Sequence, residues 1–308
     1  MTGKNLASYY IEYIDNLSIE EYTKEVKSLS QFIINDTQIK NIMTYFQKNK
    51  GKLTDKISSF FQADYQQEKD FVSIDFELYL LMLVPLHAKY KEQNLSLDIY
   101  EASLMDLQWR LETYQKNNNE LGLTSEDKMW LARIYHMKIF KLGSLQFEMI
   151  SREEDVNKIK SGPYERMYVE TKDLEELISV HIMYGQDISR KASIESFAQA
   201  LDFFEKHFPE FDYHYFYCKS WLLYPNNKKF LNKNSKIREF MELFTIVDQE
   251  QDVRIPYKYI FYKEPDEVDE TDILTSLQRF AVDHPEEMGV GTGLIDKKRV
   301  EQYAEKEQ

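Results

Sequence analysis

The stretch Leu142-Gly-Ser-Leu-Gln-Phe-Glu-Met-Ile150 divides this chain into two textures. From Leu145 onward apolar and polar residues alternate, which is the period of a strand. Before it, apolar residues return at helical spacing. The expected fold class is therefore α+β, with an all-helical N-terminal domain over residues 1–141. A mixed, largely antiparallel sheet with flanking helices is expected over residues 142–308.

Upstream of the boundary, the helix signals follow one another. Ser18-Ile-Glu-Glu21 is a capping box, because the serine hydroxyl can accept from a free amide while Glu21 reaches back. Asp36 opens a segment in which Ile39, Ile42, Met43 and Phe46 share a face, with Gly51 as its expected C-cap. Phe71 to Gln93 is nearly continuous in apolar residues, and Pro85 is expected to kink or split it. Ser96 caps the next helix, on which Tyr100, Leu104, Leu107 and Leu111 repeat, until Asn117-Asn-Asn119 breaks the pattern. Thr124 or Ser125 starts a last helix, expected to run toward Phe140 and end near Gly143.

Downstream, Tyr164–Thr171 and Leu174–Tyr184 read as strands, with Lys160-Ser-Gly-Pro163 as a turn. Ser193 to Phe208 is the clearest helix of this half, and Pro209 stops it. Tyr213–Cys218 returns to strand. Phe240–Val247 and Tyr257–Tyr262 read as a strand pair joined by the polar Asp248-Gln-Glu-Gln-Asp252. Thr271–Val282 reads as a closing helix.

Composition narrows the function. The 308 residues carry a net charge of -14, the wrong sign for non-specific binding to nucleic acid or anionic membranes. The single cysteine, Cys218, excludes an intrachain disulfide and a thiolate zinc site, so an intracellular, cytoplasmic location is expected. The first ten residues lack the apolar core of a signal peptide. The most apolar run, Leu78–Leu86, is about half of what a membrane helix needs. No metal is expected.

Several short segments resemble a bacterial family of GNAT-like acyltransferase-domain proteins, in which a helical N-acyltransferase N-terminal domain precedes a GNAT-like C-terminal domain. They are Leu142-Gly-Ser-Leu-Gln-Phe147, Val180-His-Ile182, Phe203 to Pro209, Cys218-Lys-Ser-Trp-Leu-Leu-Tyr-Pro225 and, in the first half, Ser103-Leu-Met-Asp-Leu107. The resemblance implies a sheet whose two central strands splay apart around an acyl-CoA, whose thioester is attacked by an amine acceptor. It places the cofactor-binding loop at Gly185-Gln-Asp-Ile-Ser-Arg-Lys-Ala-Ser193, ahead of a helix N-terminus suited to a pyrophosphate. Ordinary GNAT enzymes carry a Gln/Arg-x-x-Gly-x-Gly/Ala pattern there. This loop keeps Gly185 and has no second glycine at that spacing, so Ser189, Arg190, Lys191 and Ser193 are the side chains expected to contact the donor.

Within that frame His181 is the candidate base and Tyr224 the candidate acid for the departing thiolate. Each has a plainer reading as a packed residue, in a chain that holds 22 tyrosines. Cys218 has no histidine beside it in sequence and reads as a small buried residue. Lys228, Lys229, Lys233, Lys236 and Arg238 form a basic stretch that reads as a solvated loop. Gly289-Val-Gly-Thr-Gly293 lacks the strand-to-helix context of a phosphate loop and reads as a flexible turn. Glu264–Glu270 does not match a calcium loop and reads as a helix start. Two other functions stand beside acyl transfer: a non-catalytic ligand-binding module, and a protein-interaction module built on the helical part.

Overall fold

The computed structural model describes residues 3–29, 36–64, 67–151 and 176–307. The expected turn at 160–163 and strand at 164–171 lie outside these residues. Contacts divide the chain into two compact units, Met1–Lys141 and Leu142–Gln308.

The first unit contains the helices α1 (Gly3–Asn16), α2 (Ile19–Leu29), α3 (Asp36–Asn49), α4 (Leu53–Gln62), α5 (Phe76–Leu81), α6 (Leu83–Glu92), α7 (Leu97–Asn118) and α8 (Ser125–Tyr135). The capping box at the start of α2 forms, with Glu21 Oε2 accepting from the Ser18 amide at 2.9 Å. Gly51 is not a C-cap: it sits in a single 3-10 turn that passes straight into α4. The apolar run does split, although the break falls at Met82 and Pro85 lies in the first turn of α6. A proline there donates no amide to the Leu81 carbonyl. The Tyr22 hydroxyl donates to it instead, at 2.8 Å, and the Tyr135 hydroxyl donates to the Tyr79 carbonyl at 2.6 Å. These buried tyrosines thus satisfy backbone groups that a broken helix exposes.

Ser96 and Thr124 cap α7 and α8 as expected, and Asn119 ends α7 in the left-handed conformation. Asp106, in the segment that carries the family resemblance, is buried and accepts from Arg110 Nε at 3.0 Å and Trp130 Nε1 at 2.6 Å. The carboxylate is tolerated because both oxygens are paired. The last helix stops at Tyr135, and Phe140 belongs to strand β1 (Ile139–Leu142). Gly143 is then the turn into β2 (Leu145–Ser151), at φ +61°. A Cβ at that glycine would meet Ser196 Oγ at 2.5 Å.

The sheet continues with β3 (Glu176–His181), β4 (Tyr215–Ser220), β5 (Thr245–Gln251) and β6 (Gly289–Asp296), in the order β1-β2-β3-β4-β6-β5. Pairs β2–β3, β4–β6 and β5–β6 run antiparallel, and β3–β4 runs parallel. Between β3 and β4 lies α9 (Arg190–His207), which begins three residues before the expected start. It lays Phe197 against Phe147, Phe216 and Phe244, with ring centroids 5.0–6.1 Å apart. The opposite face carries Ile150, Leu177 and Leu294, with Tyr215, Tyr217 and Val247 packed on them.

Five expectations are corrected in the last third. Phe240 closes a helix, α11 (Lys236–Met241), which follows the short α10 (Asn227–Phe230). Asp248–Gln251 lies in β5 and is not a connection. As the edge strand β5 faces solvent, so its polar residues are in place. Tyr257 lies in a helix, α12 (Arg254–Ile260), and α13 (Ser276–Asp283) starts later than Thr271, with Thr275 as its cap. The glycine-rich Gly289–Gly293 is a buried strand, β6, and is followed by α14 (Lys297–Glu307).

Candidate functional site

Strands β3 and β4 pair over only three residues, Leu177–Ser179 against Tyr215–Tyr217. Both run on, β3 to His181 and β4 to Ser220, while β4 keeps its partner β6 as far as Ser220 opposite Gly291. Beyond Ser179 and Tyr217 the two parallel strands therefore part, and the gap opens at their C-terminal ends. In an open α/β arrangement that is where ligands bind.

His181 is the last residue of β3, past the final β3–β4 pair. By strand alternation it shares a face with Leu177 and Ser179, away from α9. Its Nε2 lies 2.8 Å from Glu148 Oε2, and the Glu148 side chain is only 6% exposed against 25% for His181. The partner carboxylate that His181 lacks in sequence thus comes from β2. In sequence Gln146 and Glu148 read as the solvent side of an alternating strand, yet both are buried. Their burial is the signal that sequence could not carry.

The loop residues assigned to the donor are held by one another. Ser189 caps α9, its Oγ accepting from the Ala192 amide at 3.4 Å. Asp187 Oδ1 accepts from the Ser189 amide at 2.9 Å and pairs with Lys236 Nζ at 3.0 Å. The Ser189 backbone amide first, then Lys236, hold the Asp187 carboxyl below its ordinary range. Glu239, on α11, takes the first amide of the helix: its Oε2 accepts from Arg190 N at 3.0 Å. The Arg190 guanidinium lies over the Tyr303 ring at 5.0 Å, and Lys191 reaches outward to Glu195. Gly185 adopts φ +75°, and a Cβ there would meet no atom within 4 Å. Ser193 is fully buried, and its Oγ has no hydrogen-bond partner among the described residues. A carboxylate already occupies this helix terminus, and it is the protein's own.

Tyr224 is 6% exposed and lies with the 3-10 turn Trp221–Leu223 against β6. A Cβ on Gly289 would meet the Tyr224 ring at 2.6 Å, and one on Gly293 would meet Phe244 and Leu223. Gly293 pairs with Cys218, which shares the face of Phe216 and α9. The structure therefore sets Tyr224 on the α9 face and His181 on the other. Burial pushes the Cys218 thiol up to about 12, so it holds its proton at neutral pH and is a poor nucleophile.

The other segments named from the sequence have plain roles. The Ser220 hydroxyl accepts from the Leu222 amide at 3.2 Å and so shapes the turn after β4. In the basic stretch, Lys229 pairs with Glu287 at 2.6 Å. Glu264 and Asp269 cap two 3-10 turns. A cavity of about 480 Å³ at the end of β5 is lined by Glu250, Asp252, Glu286 and Arg254, a net negative wall that does not suit a diphosphate. Among the described residues no group of His, Cys, Asp and Glu could hold a metal, and no helix is long and apolar enough to cross a membrane.

The overall fold has solved counterparts. An acyltransferase variant in complex with octanoyl-CoA superposes with a TM-score of 0.63 at 15% identity, covering 89% of this chain and 88% of that one. An acyltransferase in complex with decanoyl-CoA and teicoplanin gives 0.62 at 15% identity, with the same coverage. One in complex with CoA and 10C-Teicoplanin gives 0.63 at 15% identity, covering 88% and 87%. At such identity the likeness is one of fold. No curated protein matches the chain. Its sequence matches the N-acyltransferase N-terminal domain over residues 20–137 and the GNAT-like C-terminal domain over residues 139–295. The second match alone spans just over half of the chain, which therefore belongs to the family that joins these two domains.

Proposed function

We propose that this protein moves an acyl group from the thioester of an acyl-CoA to an amine, in the gap between β3 and β4, with His181 as general base. The observation that carries the reading is the short β3–β4 register, with His181 standing just past its last pair. Family membership supports it, and so does the fold shared with acyltransferases solved with octanoyl-CoA, decanoyl-CoA and CoA.

In the proposed reaction the acceptor nitrogen attacks the thioester carbonyl. The C–N bond forms, His181 takes a proton from that nitrogen, the C–S bond breaks, and the CoA thiolate leaves to be protonated by water. The donor's diphosphate is assigned to the first turn of α9, near Ser189, Arg190, Lys191 and Ser193, with Gly185 giving the loop room. To bind there it has to displace Glu239 from the Arg190 amide. Tyr224, lodged over Gly289 on the α9 face, is assigned to packing in place of acid catalysis.

A second reading is favoured by the same carboxylates. With Glu239 and Asp187 seated at the helix terminus, the domain suits a GNAT-like module that takes no acyl-CoA. Thermal stabilisation by CoA, octanoyl-CoA and decanoyl-CoA separates the two, because a ligand that prefers the native state raises its stability. The transfer reading expects stabilisation, and release of free CoA thiol from the acyl donors when amines are supplied. His181→Asn should keep the stabilisation and lose the thiol release by roughly 100-fold or more. If none of the three ligands stabilises the wild-type chain at millimolar concentration, the transfer reading is abandoned.

A further inference from the structure

Glu148 stands opposite Ser179 in the β2–β3 ladder, and His181 stands opposite Gln146, two residues further along. The two side chains share a face and meet on the diagonal, within reach of long side chains. Their contact is 2.8 Å, and it is made by a carboxylate that is almost wholly out of water. A buried carboxylate costs several kcal/mol unless it is paired, so a sheet does not place one at an inner position for packing alone. Gln146 and Ser179, also buried, complete a polar stripe around the pair, and Tyr217 lies on the same face of the neighbouring strand.

An ionised carboxylate only accepts hydrogen bonds. Facing Nε2, it therefore requires the neutral imidazole to carry its proton on Nε2, and the basic nitrogen becomes Nδ1. The geometry points to Glu148 as the positioning residue for His181: it fixes the ring and makes Nδ1 the atom that takes the acceptor's proton. This rests on the acyl-transfer reading of the site. In the step itself the proton passes from the acceptor nitrogen to Nδ1 as the C–N bond forms, while the Nε2 proton stays on the ring. The imidazolium so formed faces the buried anion, and it returns its proton to water after the thiolate has left. Glu148 touches neither substrate nor reacting atom.

The test uses the full chain with nitrogen-15-labelled histidine, whose ring nitrogens report the tautomer of the neutral imidazole. The His181 signal is identified by its loss in His181→Asn. The wild type is expected to show the Nε2–H form. In Glu148→Gln the side chain keeps its shape, but its amide can donate to Nε2 and so reverse the bond. The Nδ1–H form should then appear, and turnover of octanoyl-CoA should fall roughly 10- to 100-fold at unchanged KM for that donor. Glu148→Asp keeps an acceptor-only group and should retain the Nε2–H form. A wild-type ring with its proton on Nδ1 overturns the proposal. So does a Gln variant of undiminished turnover, whichever tautomer its ring adopts, because the amide oxygen can also accept from Nε2–H. A wild type that consumes no acyl-CoA fails the transfer reading, and with it the catalytic role of Nδ1. The tautomers still report separately whether Glu148 sets the ring, so the two failures are distinguishable.

Discussion

His136 shows how one residue couples burial to stability. It packs against both Phe60 and Phe61, with ring centroids 5.7 and 4.9 Å away, and burial lowers its pKa to about 4. The unfolded chain returns it to an ordinary value near 6.5, so between those limits the unfolded state binds the extra proton. The stability tied to the neutral ring is thus fully present above pH 6.5 and is lost as pH falls toward 4. By pH 5 the loss amounts to about 2 kcal/mol. Urea unfolding of the wild type and of His136→Phe at pH 7 and pH 5 checks this. The wild type should lose more stability than the variant, and equal losses would refute the assignment. The same scale shows why the site was half legible. His181 stands out in sequence as a rare residue in a strand. Glu148 does not, because a polar residue at every second position is what a half-exposed strand also looks like.

Two contacts between elements decide the second unit. The 3-10 turn after β4 packs so closely on β6 that the backbone of Leu223 occupies the space a Cβ on Gly291 would need. Gly291→Ala should therefore cost at least about 2 kcal/mol, read as a lowered urea midpoint. Gly51→Ala is the control. No atom lies within 4 Å of its Cβ position and its φ is not positive, so it should be neutral or slightly stabilising. If the two variants behave alike, the close approach is not what selects the glycine. In sequence this run reads as a turn, since glycine favours turns as well as tight packing, and only the neighbour tells them apart. The second contact joins α11 to α9 through Glu239 and the Arg190 amide. Glu239→Gln removes the competing charge and should tighten CoA binding several-fold, roughly 1 kcal/mol by calorimetry. Weaker binding in the variant would mean that Glu239 supports the donor site instead of blocking it.

Across the full chain, the residues alone settle what local chemistry and period govern. Capping residues Ser18, Ser96 and Thr124 start helices where their hydroxyls can accept from free amides. The apolar period of α7 and α9 follows from the face each must bury. The change at Leu145 separates a helical part from a sheet, and short segments on either side carry the family. The rest is non-local and is set by long-range packing. Whether Gly289–Gly293 turns or extends depends on Leu223, Tyr224 and Phe244 coming to lie on it. Whether Asp248–Gln251 is a loop or a strand depends on β5 being the edge, where polar residues face water at no cost. The parting of β3 and β4 depends on where their register stops, and the pairing of His181 with Glu148 depends on two strands meeting in one register. Spacing along a chain encodes which face a residue lies on. It does not encode what the rest of the chain brings to that face, and the chemistry proposed for this protein lies in that second quantity.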